Sequence, residues 1–409
     1  MARIRDSLAF AAIAAASLLG SATGRAEDMP KTLAEARRME QANALPAPPF
    51  YAAPRALSRT RPGALLDKRP FDGYQLPPGA TATQIVYHSL DADGRDVATS
   101  GVVLVPAGTA PAGGWPVIAW AHGTSGVARQ CAPSLMKDVY YGELGLADML
   151  RAGFAVVATD YHGLGTPGLH QYVSKIAQLH DVIYSVPAAR SAVPSLGRRW
   201  VADGHSQGGM AAWGVAEAEF TLKDADYLGA ISVAGAARQE ELLTHLGDTP
   251  GVGFYLAFMA YGIHARYPAF AVTDMLTPVA MQHYPAASAD GCWYQGYALY
   301  GDVTGKAMLK PGWNQNPWAQ RLFKENALGE SPVAGPLLVI AGEADATVPI
   351  EGVRQTVERA CRAGSRLLEL RSYPGLDHDP AMLKSVPDQL AWIRERFAGA
   401  PATSSCPAR

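Results

Sequence analysis

Three things are scarce in this 409-residue chain, and each shortage excludes something. Runs of Lys or Arg are missing, and the formal charge at pH 7 is only −2. A chain without a basic block has no electrostatic footprint for nucleic acid or another polyanion. Long apolar runs are missing too. The stretch 8–20 is apolar but falls short of the about 20 residues that cross a bilayer, so no transmembrane segment is expected. Cysteine is sparse: Cys131, Cys292, Cys361 and Cys406, none in CxxC or His-rich spacing. That pattern supports no metal site.

What is present begins with an export signal. Arg3 and Arg5 precede the apolar stretch, and small residues around Ala26 offer a cleavage point, so residues 1–26 read as a secretory leader. Its three arginines outweigh Asp6 by two, which takes the net charge from −2 to −4 on cleavage. The expected location is the periplasm or the medium. An even cysteine count in such an oxidising compartment suggests two disulfides, with three connectivities open. Cys406 sits in a Pro/Ser-rich tail without an apolar period. A bridge from it to Cys361 would tie that tail back, at about 4 kcal/mol in the chain-entropy model.

Residues 27–82 are rich in proline and lack a clean period, and read as an extended surface wrap anchored by Phe50, Tyr51, Leu65, Leu66 and Phe71. Strands are then expected at 84–89 and 97–106, joined by the turn Asp91-Ala92-Asp93-Gly94 as an antiparallel pair. Further strands fall at 116–121, 154–159, 199–202, 228–233, 336–341 and 366–373. Helical patterns cover 137–152, 171–192 (with a bend at Pro187), 351–363 and 380–397. Continuous apolar strands alternating with helices predict an α/β fold, a mostly parallel sheet covered on both faces. The alternation stops over 236–334, read as an inserted helical cap or lid. The core is therefore expected in two parts, 27–235 and 335–409. Aromatic and Met residues in the insertion, Phe254, Tyr255, Phe258, Met259 and Trp293 among them, fit a small core of the cap itself or the lining of an apolar site.

One pentapeptide organises the rest: Gly204-His205-Ser206-Gln207-Gly208, between an apolar strand and a helical stretch. With 41 glycines in the chain, five residues alone could be a plain turn. Between a strand and a helix, Gly-x-Ser-x-Gly forms a tight turn that exposes the serine hydroxyl above the sheet edge. A nucleophilic serine needs a base, and the base needs an orienting carboxylate. Ligands gather at the carboxyl ends of parallel strands. Asp345 lies just past the expected strand 336–341, and His378 just past 366–373, giving the order Ser, Asp, His. Glu343 competes with Asp345, but Thr347-Val348-Pro349 suits a loop that turns Asp345 inward. Asp377 and Asp379 should point to solvent, Asp160 should be structural, and His205 should point away from the base. Oxyanion donors are expected from the backbone of Gln207 and from Thr124, in the loop after strand 116–121.

These residues resemble the secretory lipase family of the α/β-hydrolases, the group of Candida antarctica lipase A. The landmarks are Pro49-Phe50-Tyr51, Ala119-Trp120-Ala121-His122-Gly123-Thr124, Cys131-Ala132-Pro133-Ser134, Asp160 to Gly165 and the serine pentapeptide. The resemblance implies a Ser206–Asp345–His378 triad, a helical cap over an acyl site, disulfides Cys131–Cys292 and Cys361–Cys406, and hydrolysis of carboxylic esters. No metal or organic cofactor is implied. The expected partner is a small-molecule or lipid ester, with transient lipid-interface contact through the cap. The cap sequence does not match the family residue by residue, so acyl length is not implied. Two other readings share the fold: a peptidase, for which the insertion lacks an acidic cluster to hold a peptide amine, and a catalytically inactive binding protein.

Overall fold

The computed structural model describes residues 29–53, 56–249 and 251–407; the expected leader, 1–26, lies outside them. Nine strands form one sheet among the described residues: β1 (Leu65–Phe71), β2 (Thr81–Leu90), β3 (Asp96–Val105), β4 (Trp115–Ala121), β5 (Ala155–Thr159), β6 (Leu196–His205), β7 (Tyr227–Val233), β8 (Leu337–Gly342) and β9 (Leu368–Tyr373). Their spatial order is β1-β2-β3-β5-β4-β6-β7-β8-β9. The first three pair antiparallel, as does β3 with β5; β5, β4 and β6 to β9 run parallel. This is the α/β fold expected from the alternation, with its hairpin at Asp91–Gly94 in place.

Strand alternation sorts the core into two faces. Val117, Ala119 and Ala121 of β4 face one cluster with Val182 and Val215, contributed by the helices Lys175–Ala192 and Gln207–Leu222. Ile118 and Trp120 face the other, with Met382, Val386 and Ile393 of the helix His378–Ala398. Every residue of β5 and β8 is buried, as central strands covered on both sides require. Successive strands are added outward from β4 to one side as far as β5, then from β6 to the other. The switch between those directions falls between β4 and β6, where a crevice opens at the carboxyl ends.

Residues between β7 and β8 are helical, with no strand among those described: Gln239–Asp248, Phe254–Arg266, Pro278–Pro285, Trp293–Tyr300, Gly305–Met308 and Pro317–Asn326. Their buried Leu243, Phe254, Phe258 and Ile263 belong to the same cluster as the face carrying Val182 and Val215. The insertion therefore shares the main core, with no separate one among the described residues.

Three local expectations are corrected. The proline-rich wrap contains the helix Leu33–Asn43, capped by Thr32 accepting from the Glu35 amide at 3.2 Å, and the edge strand β1. The expected helix 137–152 is broken: Val139 and Tyr140 have positive φ, a π-turn covers Gly142–Leu146, and regular helix spans only Ala147–Arg151. The helix expected over 171–192 begins only at Lys175, with Pro187 inside it.

Both disulfides implied by the resemblance are formed, Cys131–Cys292 and Cys361–Cys406. The first joins the loop after β4 to the helical insertion. The second holds the tail along β9, where Ser405 donates its amide to Leu368 O at 2.7 Å and accepts from the Leu370 amide at 3.0 Å.

Candidate active site

Ser206 stands between β6 and the helix Gln207–Leu222 with φ 59° and ψ −117°. A non-glycine residue in that conformation is strained and holds it only if neighbours over-determine it. They do here. Ser206 donates its amide to Val233 O at 2.8 Å, and its carbonyl accepts from Met210 at 3.1 Å and Ala236 at 3.2 Å. The turn is closed by contacts that admit no side chain. A Cβ on Gly204 would lie 2.3 Å from Gly208 O, and one on Gly208 would lie 1.8 Å from Ala121 O, at the end of β4. Gly123, in the loop after β4, is also crowded: a Cβ there would sit 2.3 Å from Tyr141 Oη and 3.4 Å from Ser206 Cβ. The loop of Thr124 is therefore packed against the serine turn.

Asp345 follows β8. One of its oxygens, Oδ1, accepts from the amides of Thr347 at 2.8 Å and Val348 at 2.7 Å. The other, Oδ2, accepts from His378 Nδ1 at 2.7 Å. His378 begins the helix His378–Ala398 after β9, and Asp377 caps it. Asp377 Oδ1 accepts from the His378 amide and from the Ala346 amide, both at 2.8 Å, so it ties the two loops together. Asp377 is thus an exposed surface acid, as expected, that also caps the helix.

The pair is electrostatically matched. Burial alone would raise Asp345, but the His378 charge and hydrogen bond, aided by two amides, hold its carboxyl below the usual range. Burial pulls His378 down, and Asp345 more than reverses this, so its pKa lies above the ordinary 6.5. His378 Nε2 is buried and makes no hydrogen bond to Ser206 or any other group among the described residues. Catalytic hydrogen bonds are often unformed before substrate binds.

Thr124 and Gln207 line the same cleft as Ser206, with Tyr172, Leu246, Tyr255 and Met259. The Thr124 hydroxyl is 2.8 Å from Tyr172 Oη, and its carbonyl accepts from Tyr140 Oη at 2.5 Å. The cleft holds only ≈ 40 Å³. A cavity of roughly 150 Å³ is what takes a benzene ring.

One expectation about direction fails. His205 does not point away from the base: its ring lies 4.6 Å from that of His378, centroid to centroid. Alternation on β6 explains this, since the residue before the turn faces the sheet side on which the helix His378–Ala398 packs. Burial, with His378 beside it, lowers His205 to about 4, so it is neutral. Its Nδ1 is 2.7 Å from Tyr141 Oη. The tyrosines at 140, 141 and 172, which fix the Thr124 loop and His205, carry no motif that marks them in the sequence. Asp160 accepts from Ser100 Oγ at 2.6 Å and the Ser134 amide at 2.8 Å, deep in the core and away from the cleft.

A family model for secretory lipases matches residues 135–405. The chain belongs to the secretory lipase family. Relatives in sequence include lipase 4 of Candida albicans, 24% identical over 389 residues that span 88% of this chain and 83% of that one. A probable inactive lipase of Mycobacterium tuberculosis is 24% identical over 379 residues, 87% of this chain and 83% of the relative. Among solved structures, closed-state Candida antarctica lipase A superposes with TM-score 0.77 at 18% identity, over 89% of each chain. A rice cell wall degrading esterase from Xanthomonas oryzae gives 0.66 at 19% identity, over 83% of this chain and 98% of the other. At such identities the structural likeness establishes the α/β-hydrolase fold and no more.

Proposed function

We propose that this family member is an exported carboxylic ester hydrolase working through Ser206, His378 and Asp345. The observation that carries the reading is the His378 Nδ1–Asp345 Oδ2 bond of 2.7 Å with the opposite nitrogen, Nε2, left unpartnered beside the serine turn. Nδ1 donates to the carboxylate, so Nε2 keeps its lone pair and can accept a proton. Ser206 Oγ attacks the ester carbonyl carbon as Nε2 takes its proton. The carbonyl oxygen gains the negative charge and accepts from the backbone N–H groups of Gln207 and Thr124. The imidazolium then gives its proton to the departing alcohol, leaving an acyl-serine. Water, deprotonated by the same nitrogen, attacks the acyl carbon, and the acid leaves as Ser206 regains its proton.

Ester entry needs more room than the cleft now has. Leu242, Leu243 and Leu246 of the helix Gln239–Asp248 form its apolar wall. In this reading the helical insertion over 236–334 acts as a cap, and displacement of that helix admits the acyl group. Exposed Val279 gives the insertion an apolar point of contact with a lipid surface. Relative rates on soluble p-nitrophenyl butyrate and emulsified triacylglycerol then separate a pocket esterase from an interfacial lipase.

The relative named as inactive makes a dead site the reading to test against. A fluorophosphonate probe should label Ser206 and leave Ser206→Ala unmodified. That variant should lose turnover of p-nitrophenyl butyrate by about 10⁵–10⁶-fold while keeping its fold. Unlabelled native protein, or a variant retaining most of its turnover, would sink the assignment.

A further inference from the structure

His205 takes no step in that reaction, yet it shares its surroundings with the base. The two imidazoles are held in the same manner. His205 Nδ1 meets Tyr141 Oη at 2.7 Å, and His378 Nδ1 meets Asp345 Oδ2 at 2.7 Å. In both rings Nε2 is buried without a hydrogen-bond partner. His205 is 1% exposed and His378 8%. Asp379, the neighbour of His378, brings a carboxylate oxygen to 3.8 Å from His205 Nε2. One ligand atom from each of the three residues lies within 4.8 Å of the other two.

We propose that His205, His378 and Asp379 form an inhibitory site for a divalent transition-metal ion, with Zn²⁺ the best match. Two neutral imidazole nitrogens and one carboxylate, with a fourth position open, form a donor set that zinc takes readily. Mg²⁺ and Ca²⁺ prefer oxygen donors and are poor fits. The outer contacts match as well: a ligating histidine commonly engages a carboxylate or another polar group through its second nitrogen, which fixes ring and tautomer. Both rings engage such a group through Nδ1, Asp345 for His378 and Tyr141 for His205, and the site uses the His205 tautomer in which Nδ1 donates to Tyr141 Oη. Zinc–nitrogen bonds of about 2.0–2.1 Å place tetrahedral donors about 3.3–3.5 Å apart, so the cluster must contract by about 1 Å. The Asp379 side chain, 68% exposed, has the freedom to supply much of that movement. The ligands come from positions 205, 378 and 379, a separation that no short His or Cys spacing reveals.

The consequence follows from electron pairs. A metal on His378 Nε2 occupies the lone pair that would accept the serine proton, and a chelator restores it. Inhibition therefore rests on the proposed hydrolysis, whereas binding does not. The test separates them. Chelator-treated mature protein is titrated with Zn²⁺ against a chromogenic chelator, and with Co²⁺ for its visible absorption. One ion per chain and a tetrahedral Co²⁺ spectrum are expected, in native protein and in Ser206→Ala alike. Asp379→Asn, a change at an exposed side chain, should weaken binding at least tenfold, and His205→Phe should abolish it. Ester hydrolysis by native protein should fall with Zn²⁺ occupancy and recover with chelator. Failure to bind Zn²⁺, or equal affinity in native protein and Asp379→Asn, overturns the site. Binding with no ester hydrolysis under any condition would leave the site standing and remove the function proposed above.

Discussion

Replacing Asp345 by Asn tests the site most sharply, because the structure dictates how the amide must turn. Asp345 Oδ1 accepts from two backbone N–H groups, those of Thr347 and Val348. An amide NH₂ cannot face two donors, so the Asn oxygen has to take that position and the NH₂ has to take the place of Oδ2. It then points at His378 Nδ1, 2.7 Å away in the native pair. The imidazole can meet a donor there only by moving its proton to Nε2. Nε2, the nitrogen proposed to accept the Ser206 proton, becomes an N–H and loses its lone pair. A tautomer forced in this way costs about 10⁴-fold in turnover, or about 5.5 kcal/mol of barrier. The loop itself should survive, since both amide bonds to it are kept; Asp345→Ala, which orphans them, should also cost about 1–3 kcal/mol of stability. The assay is kcat/KM on p-nitrophenyl butyrate beside thermal melting of native protein and Asp345→Asn. A folded Asp345→Asn variant within tenfold of native turnover would refute the orienting role.

Four further outcomes follow from the geometry. Activity should rise with pH through an apparent pKa above 6.5, because His378 is raised by Asp345 and must be neutral to act; a half-point at or below 6.5 would contradict the pairing. The same shifts predict stability: the His378 contribution is full below 6.5 and lost as pH climbs through its raised value, while the Asp345 contribution holds above 3.8 and is lost as pH falls through its depressed one, so melting temperatures should show the pair's support between those limits. Gly208→Ala puts a Cβ 1.8 Å from the Ala121 carbonyl, a backbone atom that cannot swing aside, and should cost about 3 kcal/mol and most of the activity; an unchanged midpoint in urea would show that the turn is looser than it looks. Removing Cys361–Cys406, which closes 45 residues, should lower unfolding stability by about 4 kcal/mol while leaving kcat near native, read by denaturant melts of the Cys361→Ser, Cys406→Ser double variant.

The central strands were legible because burial on both faces leaves a continuous apolar run, and β4 to β8 fall within a few residues of where that run places them; β9, at the end of the sheet with only Leu368 buried, shows the alternation Leu368-Glu369-Leu370-Arg371 instead. Ser206, Asp345 and His378 were legible for a related reason: each follows one of these strands, so locating the strand locates the residue. What escaped has no apolar signature. The helix Leu33–Asn43 buries only Ala36, and its signal was instead Thr32 followed three residues later by Glu35. In β1 the charged Lys68 and Arg69 and the ring of Pro70 suit an edge strand while hiding it from a search for hydrophobic runs. The break over residues 139–146 depends on positive φ at two non-glycine residues, Val139 and Tyr140, which composition does not announce.

The helical insertion was hardest to read, and the reason bears on substrate. Its large apolar residues at 254, 258 and 263 are committed to the core shared with the sheet. Helical periodicity there records packing and carries no information about an acyl group. The insertion reaches the cleft with Ala236 and with Leu242, Leu243, Leu246, Tyr255 and Met259, the last five drawn from two different helices. Two helices meeting over a serine have no common register in sequence, so the wall they make cannot be recognised from either alone. The proposed chemistry was therefore readable from strand ends, each a local feature. In the proposed function, selectivity resides in how two helices dock on that chemistry, and it becomes readable only once the fold has placed them.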